Sequence, residues 1–341
     1  GITFVQLPSS ISSSLVRDPA NVDFSKIPQA ALDGMVSGTG STNYIDPNYE
    51  LPSDWRVQVG YDWTVDIPYL GEDYEWSTEF NYVKQEKGSF WIDNSRVDSG
   101  ETTADGERII YESRYDGDLA DNFDIGLTNT NDNGRSLIWT TSLKKAFDNG
   151  FKMNMSYTHQ DITGANPGTS SRAQSNYQFN VNVNRNVPLV GTTDFETKHR
   201  FVLNIGYKTQ FYKDYNTTFD VFFSRRSGRP LSYTLGLFQD GDFGDQPDFY
   251  SNTIYLPYIP TGADDPNVDF ENSDLTYEEM KELIDKAGLS GDAGGYASKN
   301  SGSQPWVTTM DLSITQELPG FADGHKGLLY FNIDNLANLL N

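Results

Sequence analysis

Residues 55–67 read Trp-Arg-Val-Gln-Val-Gly-Tyr-Asp-Trp-Thr-Val-Asp-Ile. They set Trp55, Val57, Val59, Tyr61, Trp63, Val65 and Ile67 on one face and Arg56, Gln58, Asp62, Thr64 and Asp66 on the other. Alternation at period 2 marks a β-strand with two unlike surfaces. Soluble strands usually end after about 5 or 6 residues, whereas thirteen residues at roughly 3.3 Å each, tilted by about 45°, cover the hydrocarbon core of a bilayer. The stretch predicts an all-β fold, a transmembrane antiparallel β-barrel.

Composition narrows the class by exclusion. The 341 residues are 36% hydrophobic, mean hydropathy is -0.57, and no apolar run approaches the ~20 residues of a spanning helix. Barrel strands escape such scans because every second residue faces a polar lumen, while aromatic girdles enrich Tyr, Phe and Trp, here 20, 20 and 6. The chain has no cysteine, which rules out disulfides and thiolate metal sites. A net charge of -23 argues against nucleic acid as a partner. No signal-peptide pattern opens the chain, so Gly1 is expected not to be the natural start of an exported protein.

Seven further segments repeat the alternation: Tyr74 to Tyr82, Leu137 to Phe147, Phe151 to Tyr157, Phe201 to Phe211, Phe219 to Phe223, Trp306 to Ile314 and Leu329 to Ile333. Their connections are by turns short (68–73, 148–150, 213–216, 319–326) and long (about 85–134, 162–198 and 227–305). Outer-membrane barrels have tight periplasmic turns and long extracellular loops, so the long connections are assigned outside the cell, with 1–50 as a further extracellular stretch and 51–341 as a partial barrel. Alternating residues at 177–187, and Phe123, Ile125 and Leu127, are read as strand extensions above the membrane. A soluble β-sandwich is the competing reading, but its turns come every 8–12 residues with no consistent side for insertions.

No pattern suggests an enzyme, a cofactor or a metal. His159, His199 and His325 are far apart in sequence, and no phosphate loop, His-Glu-x-x-His or Gly-x-Ser-x-Gly occurs. Asp240, Asp242 and Asp245 resemble the start of a calcium loop, but Gly244 occupies a ligand position and the closing Glu is out of place. In the longest loop, Thr276 and Glu279 make a capping-box pattern. Met280, Leu283, Ile284 and Ala287 share one face and Gly288 follows, which predicts a helix over 276–287. That loop carries fourteen Asp and Glu against Arg229, Lys281, Lys286 and Lys299, a surface that repels anionic ligands and favours cationic or metal-chelating ones.

Several segments, in order and spacing, resemble the barrel of Oar-like TonB-dependent receptors: Asp46-Pro47-Asn48 with Leu51-Pro52, Phe147-Asp148-Asn149-Gly150, Asn166-Pro167-Gly168-Thr169-Ser170-Ser171, Lys198-His199-Arg200-Phe201, Arg226-Ser227-Gly228-Arg229-Pro230-Leu231-Ser232-Tyr233 and Asn335-Leu336-Ala337-Asn338. The resemblance implies a 22-stranded barrel in the outer membrane of a Gram-negative bacterium. It also implies a plug domain, coupling to a TonB-ExbB-ExbD complex and movement of a bulky substrate by proton-motive force. Eight strands are too few for that fold, so the chain is expected to be a fragment. Arg56, Asp62, Arg200, Lys208 and Arg226 are expected in the lumen, and Arg225 at the outer rim beside lipopolysaccharide. Asp240, Asp242, Asp245, Met280, Leu283 and Ile284 are expected in a substrate lid. A passive porin and a surface adhesive protein binding a partner through its loops are the alternatives.

Overall fold

The computed structural model describes residues 40–117, 120, 122–130, 133–235, 243–245, 254–322 and 324–339. Eight strands form one antiparallel meander: β1 (Ser53–Ile67), β2 (Gly71–Asp93), β3 (Arg135–Ala146), β4 (Phe151–Gly164), β5 (His199–Tyr212), β6 (Tyr215–Arg226), β7 (Val307–Pro319) and β8 (Lys326–Ile333). Each pairs with its neighbour in chain order. Among the described residues the sheet stays open, with β1 and β8 at its edges.

Register converts the alternation of single strands into two continuous faces. Trp63, Trp76, Leu143, Met155, Leu203, Phe223 and Met310 lie directly opposite one another across seven strands. One residue away in each strand, the row reads Asp62, Ser77, Ser142, Ser156, Val202, Ser224 and Thr309. A slip of one residue at any pair would put apolar groups among the hydroxyls, which is why this pattern specifies its pairing. The turn between β3 and β4 holds Gly150 at φ +84°, where an added Cβ would lie 2.2 Å from the Lys208 carbonyl oxygen, so only glycine fits.

The three long connections interlock at the opposite end from the tight turns. β2 runs on past the other strands, and its last residues pair with Asp124–Thr130, which in turn takes Thr42–Ile45 in parallel. A hairpin of Arg96–Thr102 and Ile109–Ser113 follows. Residues Pro230–Leu231 pair with Gly302–Ser303, Tyr258–Ile259 with Gly295–Tyr296, and Asn182 bridges to Tyr255. The segment Phe123 to Leu127 thus extends the sheet, but 177–187 does not. Its start is a helical turn, Ala173–Gln178, and its asparagines bond elsewhere. The Asn176 side chain accepts from the Ser170 amide at 2.9 Å, and that of Asn184 from the Ile109 amide at 2.8 Å. Asn186 accepts from the Asp93 amide at 2.8 Å. Side-chain amides of this kind compete with a backbone ladder.

Candidate functional site

The apolar face of the sheet is open. Trp55 is 70% exposed and Val59 63%, and Met155 and Phe201 are each 44% exposed. A shallow groove of about 470 Å³ runs across it between Trp76, Leu143, Met155, Tyr157, Phe201, Leu203 and Phe223. Two aromatic rows bound the face. Towards the loops, Phe80 stacks on Trp139 at 6.0 Å, Trp139 meets Tyr157 at 5.7 Å, and Phe201 lies 4.7 Å from Tyr157 and 6.5 Å from Trp306. Towards the tight turns, Trp63 and Trp76 lie 4.6 Å apart, Phe147 and Phe151 5.5 Å, and Phe211 and Phe219 6.2 Å.

Arg225 belongs to the upper row. It faces Phe201 in register, and its guanidinium stands 5.4 Å from the Trp306 ring. His159 and His199, distant in sequence, are direct cross-strand neighbours, with their Nδ1 atoms 3.4 Å apart and the Tyr157 hydroxyl 2.8 Å from His199 Nδ1. No group of three or more His, Asp or Glu able to hold a metal occurs among the described residues.

On the polar face, Arg200 lies opposite both Thr158 and Arg226, and Lys208 opposite Thr218. Arg56 pairs with Asp54 at 3.0 Å on an exposed edge, while Asp62 accepts from the Ser77 hydroxyl. Lys152 and Asp220 form a further pair at 2.9 Å. These side chains line one surface but do not converge on a single point.

The loop body is built around buried cations. Arg185 pairs with Asp245 at 3.3 Å, with both side chains almost fully buried. Burial opposes its charge, but the Asp245 carboxylate, with Tyr255 and Tyr177, outweighs that and raises its pKa. Tyr255 donates to the Asp245 carboxylate and Tyr177 to its backbone oxygen at 2.8 Å, and burial pushes both phenols up. Arg108, 2% exposed, lies 4.3 Å from the Phe243 ring, 4.9 Å from Tyr296 and 5.4 Å from Tyr255, and donates to the Leu256 carbonyl. Lys299 donates to the Ala165 carbonyl at 2.8 Å and to Asn180 at 2.9 Å, and burial depresses its pKa to about 8. Asp245 is therefore an internal counter-charge, and Asp240 and Asp242 lie outside the described residues.

Above this core sits the helix Tyr277–Ala287. Thr276 Oγ1 accepts from the Glu279 amide at 3.3 Å, the Glu279 carboxylate accepts from the Thr276 amide at 2.9 Å, and Gly288 closes the helix at φ +72°. Ile284 is buried with Leu256, Ile259, Leu289 and Ala297, and Met280 packs against their edge. Leu283, on the same helix, remains 56% exposed.

Arg108, Arg185, Tyr255 and Lys299 were not legible as a group. They come from three separate loops, and isolated basic or aromatic residues in loops carry no period. The Asn-rich run 176–186 was the one available signal, because such side chains favour local and loop-to-loop bonds over strands. No family model, curated protein or solved structure matches this chain.

Proposed function

We propose that the eight strands are part of an outer-membrane barrel of the TonB-dependent receptor type, moving a bulky substrate across the outer membrane under the drive of the proton gradient. The carrying observation is the uncovered apolar face between two aromatic rows. Monomeric soluble proteins seldom expose contiguous apolar patches beyond a few hundred Å², whereas the lipid face of a barrel is an apolar band flanked by aromatic girdles. The fourteen residues of β5 rise roughly 45 Å, or about 30 Å at the usual tilt, which is the bilayer core.

Two bare edges in lipid would cost several kcal/mol per unpaired group, so the reading requires further strands beyond β1 and β8. Energy coupling is supported by the resemblance of 40–341 to Oar-like receptors and by three long loops massed on one side. The test is substrate flux, uptake or export, in cells carrying the full gene. It should collapse on deleting TonB or dissipating the gradient, and undiminished flux would replace this reading with a passive porin.

A further inference from the structure

The loop body has its own open apolar groove, of about 410 Å³, between the exposed flank of the Tyr277–Ala287 helix and the chain at Tyr233 and Pro257; Leu275, Met280 and Leu283 line it. Leu283, Leu275 and Tyr233 are 56%, 44% and 38% exposed. Ile284, with Met280 and Ala287 at the edge, packs the helix on the loop core, while Leu283 and Leu275 remain exposed beside it.

The charge around the groove is predominantly negative, although Lys286 is among the lining residues. Residues 262–292 hold ten carboxylates and two lysines, and both lysines are already engaged, Lys281 with Asp285 at 2.5 Å and Lys286 with Glu282 at 2.6 Å. Asp264, Glu271, Asp274 and Glu278 are exposed and form no ion pair among the described residues. An anionic lipid headgroup is repelled by this field, and so is a second copy of a chain carrying -23. A segment whose apolar face fills the groove and whose flanks are basic satisfies both features at once.

We propose that this groove binds a cationic amphipathic peptide segment, either free or displayed by a protein. The inference names a ligand class for the loop body and needs no transport, so it stands or falls separately from the energy-coupled reading.

The test uses the full chain in phosphatidylcholine nanodiscs, with empty discs as the blank. The probe is a fluorescein-labelled Leu/Lys peptide of about 16 residues, long enough to form an amphipathic helix, set against the same composition scrambled so that no face is apolar. The amphipathic peptide should bind at least about tenfold tighter than the scrambled one, and Leu283→Glu should remove that advantage. The double variant Asp274→Asn with Glu278→Gln leaves the lining intact and should weaken binding about threefold or more at low salt, with a flatter salt dependence. Equal binding of the two peptides, an unaffected Leu283→Glu variant, or binding no greater than to empty discs would each overturn the proposal.

Discussion

The sheet and the loop body distribute the same residue types in opposite ways. In the sheet, Trp55, Val57, Val59 and Phe201 stand open while serines and threonines of the other face line up in register. In the loop body, Phe90, Ile125, Tyr255, Leu256 and Ile259 are buried together with Asp93, Arg108, Arg185, Asp245 and Lys299. The sheet leaves its apolar surface uncovered, which is the observation behind the proposed lipid contact. The loops, lacking enough regular backbone pairing, close around charged groups whose many donors satisfy irregular carbonyls. One part is defined by regular strand pairing beneath an uncovered apolar face, the other by internal polar bonds.

The comparison breaks most visibly at Asp245. Removing one partner of a buried ion pair leaves an uncompensated charge, and Asp245→Ala should destabilise the loop body by about 3–5 kcal/mol, while the paired change Arg185→Met with Asp245→Leu should cost far less. Because the chain has no cysteine, a fluorophore on Ser301→Cys reports loop unfolding in denaturant without competing labels. If the single variant unfolds at the wild-type midpoint, the buried pair does not organise this region.

That contrast also explains what the sequence disclosed. All eight strands were visible because a period of two survives over many residues, as from Trp55 to Ile67, and the helix because Thr276, Glu279 and Gly288 mark its ends. The closed 22-stranded barrel expected from the resemblance is not seen among the described residues, whose strands form an open sheet, and no single strand records how many neighbours follow its edge. The alternation of Tyr177, Phe179, Val181 and Val183 misled because Asn176, Asn184 and Asn186 spend their amides on other segments, as Asn186 does in donating to the Asp93 carbonyl at 3.0 Å. Of the loop aspartates, Asp245 faces Arg185 inside the body, a placement that charge counting along the loop does not give, and Asp240 and Asp242 lie outside the described residues.

A second test probes the sheet. Ile205 lies midway along β5, opposite Met153 and Val221 on the apolar face, and Asn204 beside it points the other way. If that face meets hydrocarbon, Ile205→Arg should cost roughly 2–4 kcal/mol in lipid, and Asn204→Arg much less. Unfolding of refolded protein from vesicles compares the two directly. Equal stabilities would mean that water lies on both sides of the sheet.

The smallest expected effect sharpens the other half of the comparison, the view that the loop body tolerates buried charge only through its bonds. Lys299 is protonated at neutral pH although its pKa is depressed to about 8 by burial, with Asp194 partly opposing that shift. In the unfolded chain a lysine holds its proton up to about pH 10.4, so between these values the unfolded state binds more protons and folding stability rises with pH. The gain should be about 1 kcal/mol between pH 8 and 9. Lys299→Met, which cannot titrate, should flatten that slope while losing the donors to Ala165 and Asn180. Denaturant midpoints of the Ser301→Cys label at the two pH values give both slopes. A wild-type midpoint that does not rise, or a slope that persists in Lys299→Met, would show that the ammonium is solvated and that the loop body does not confine it.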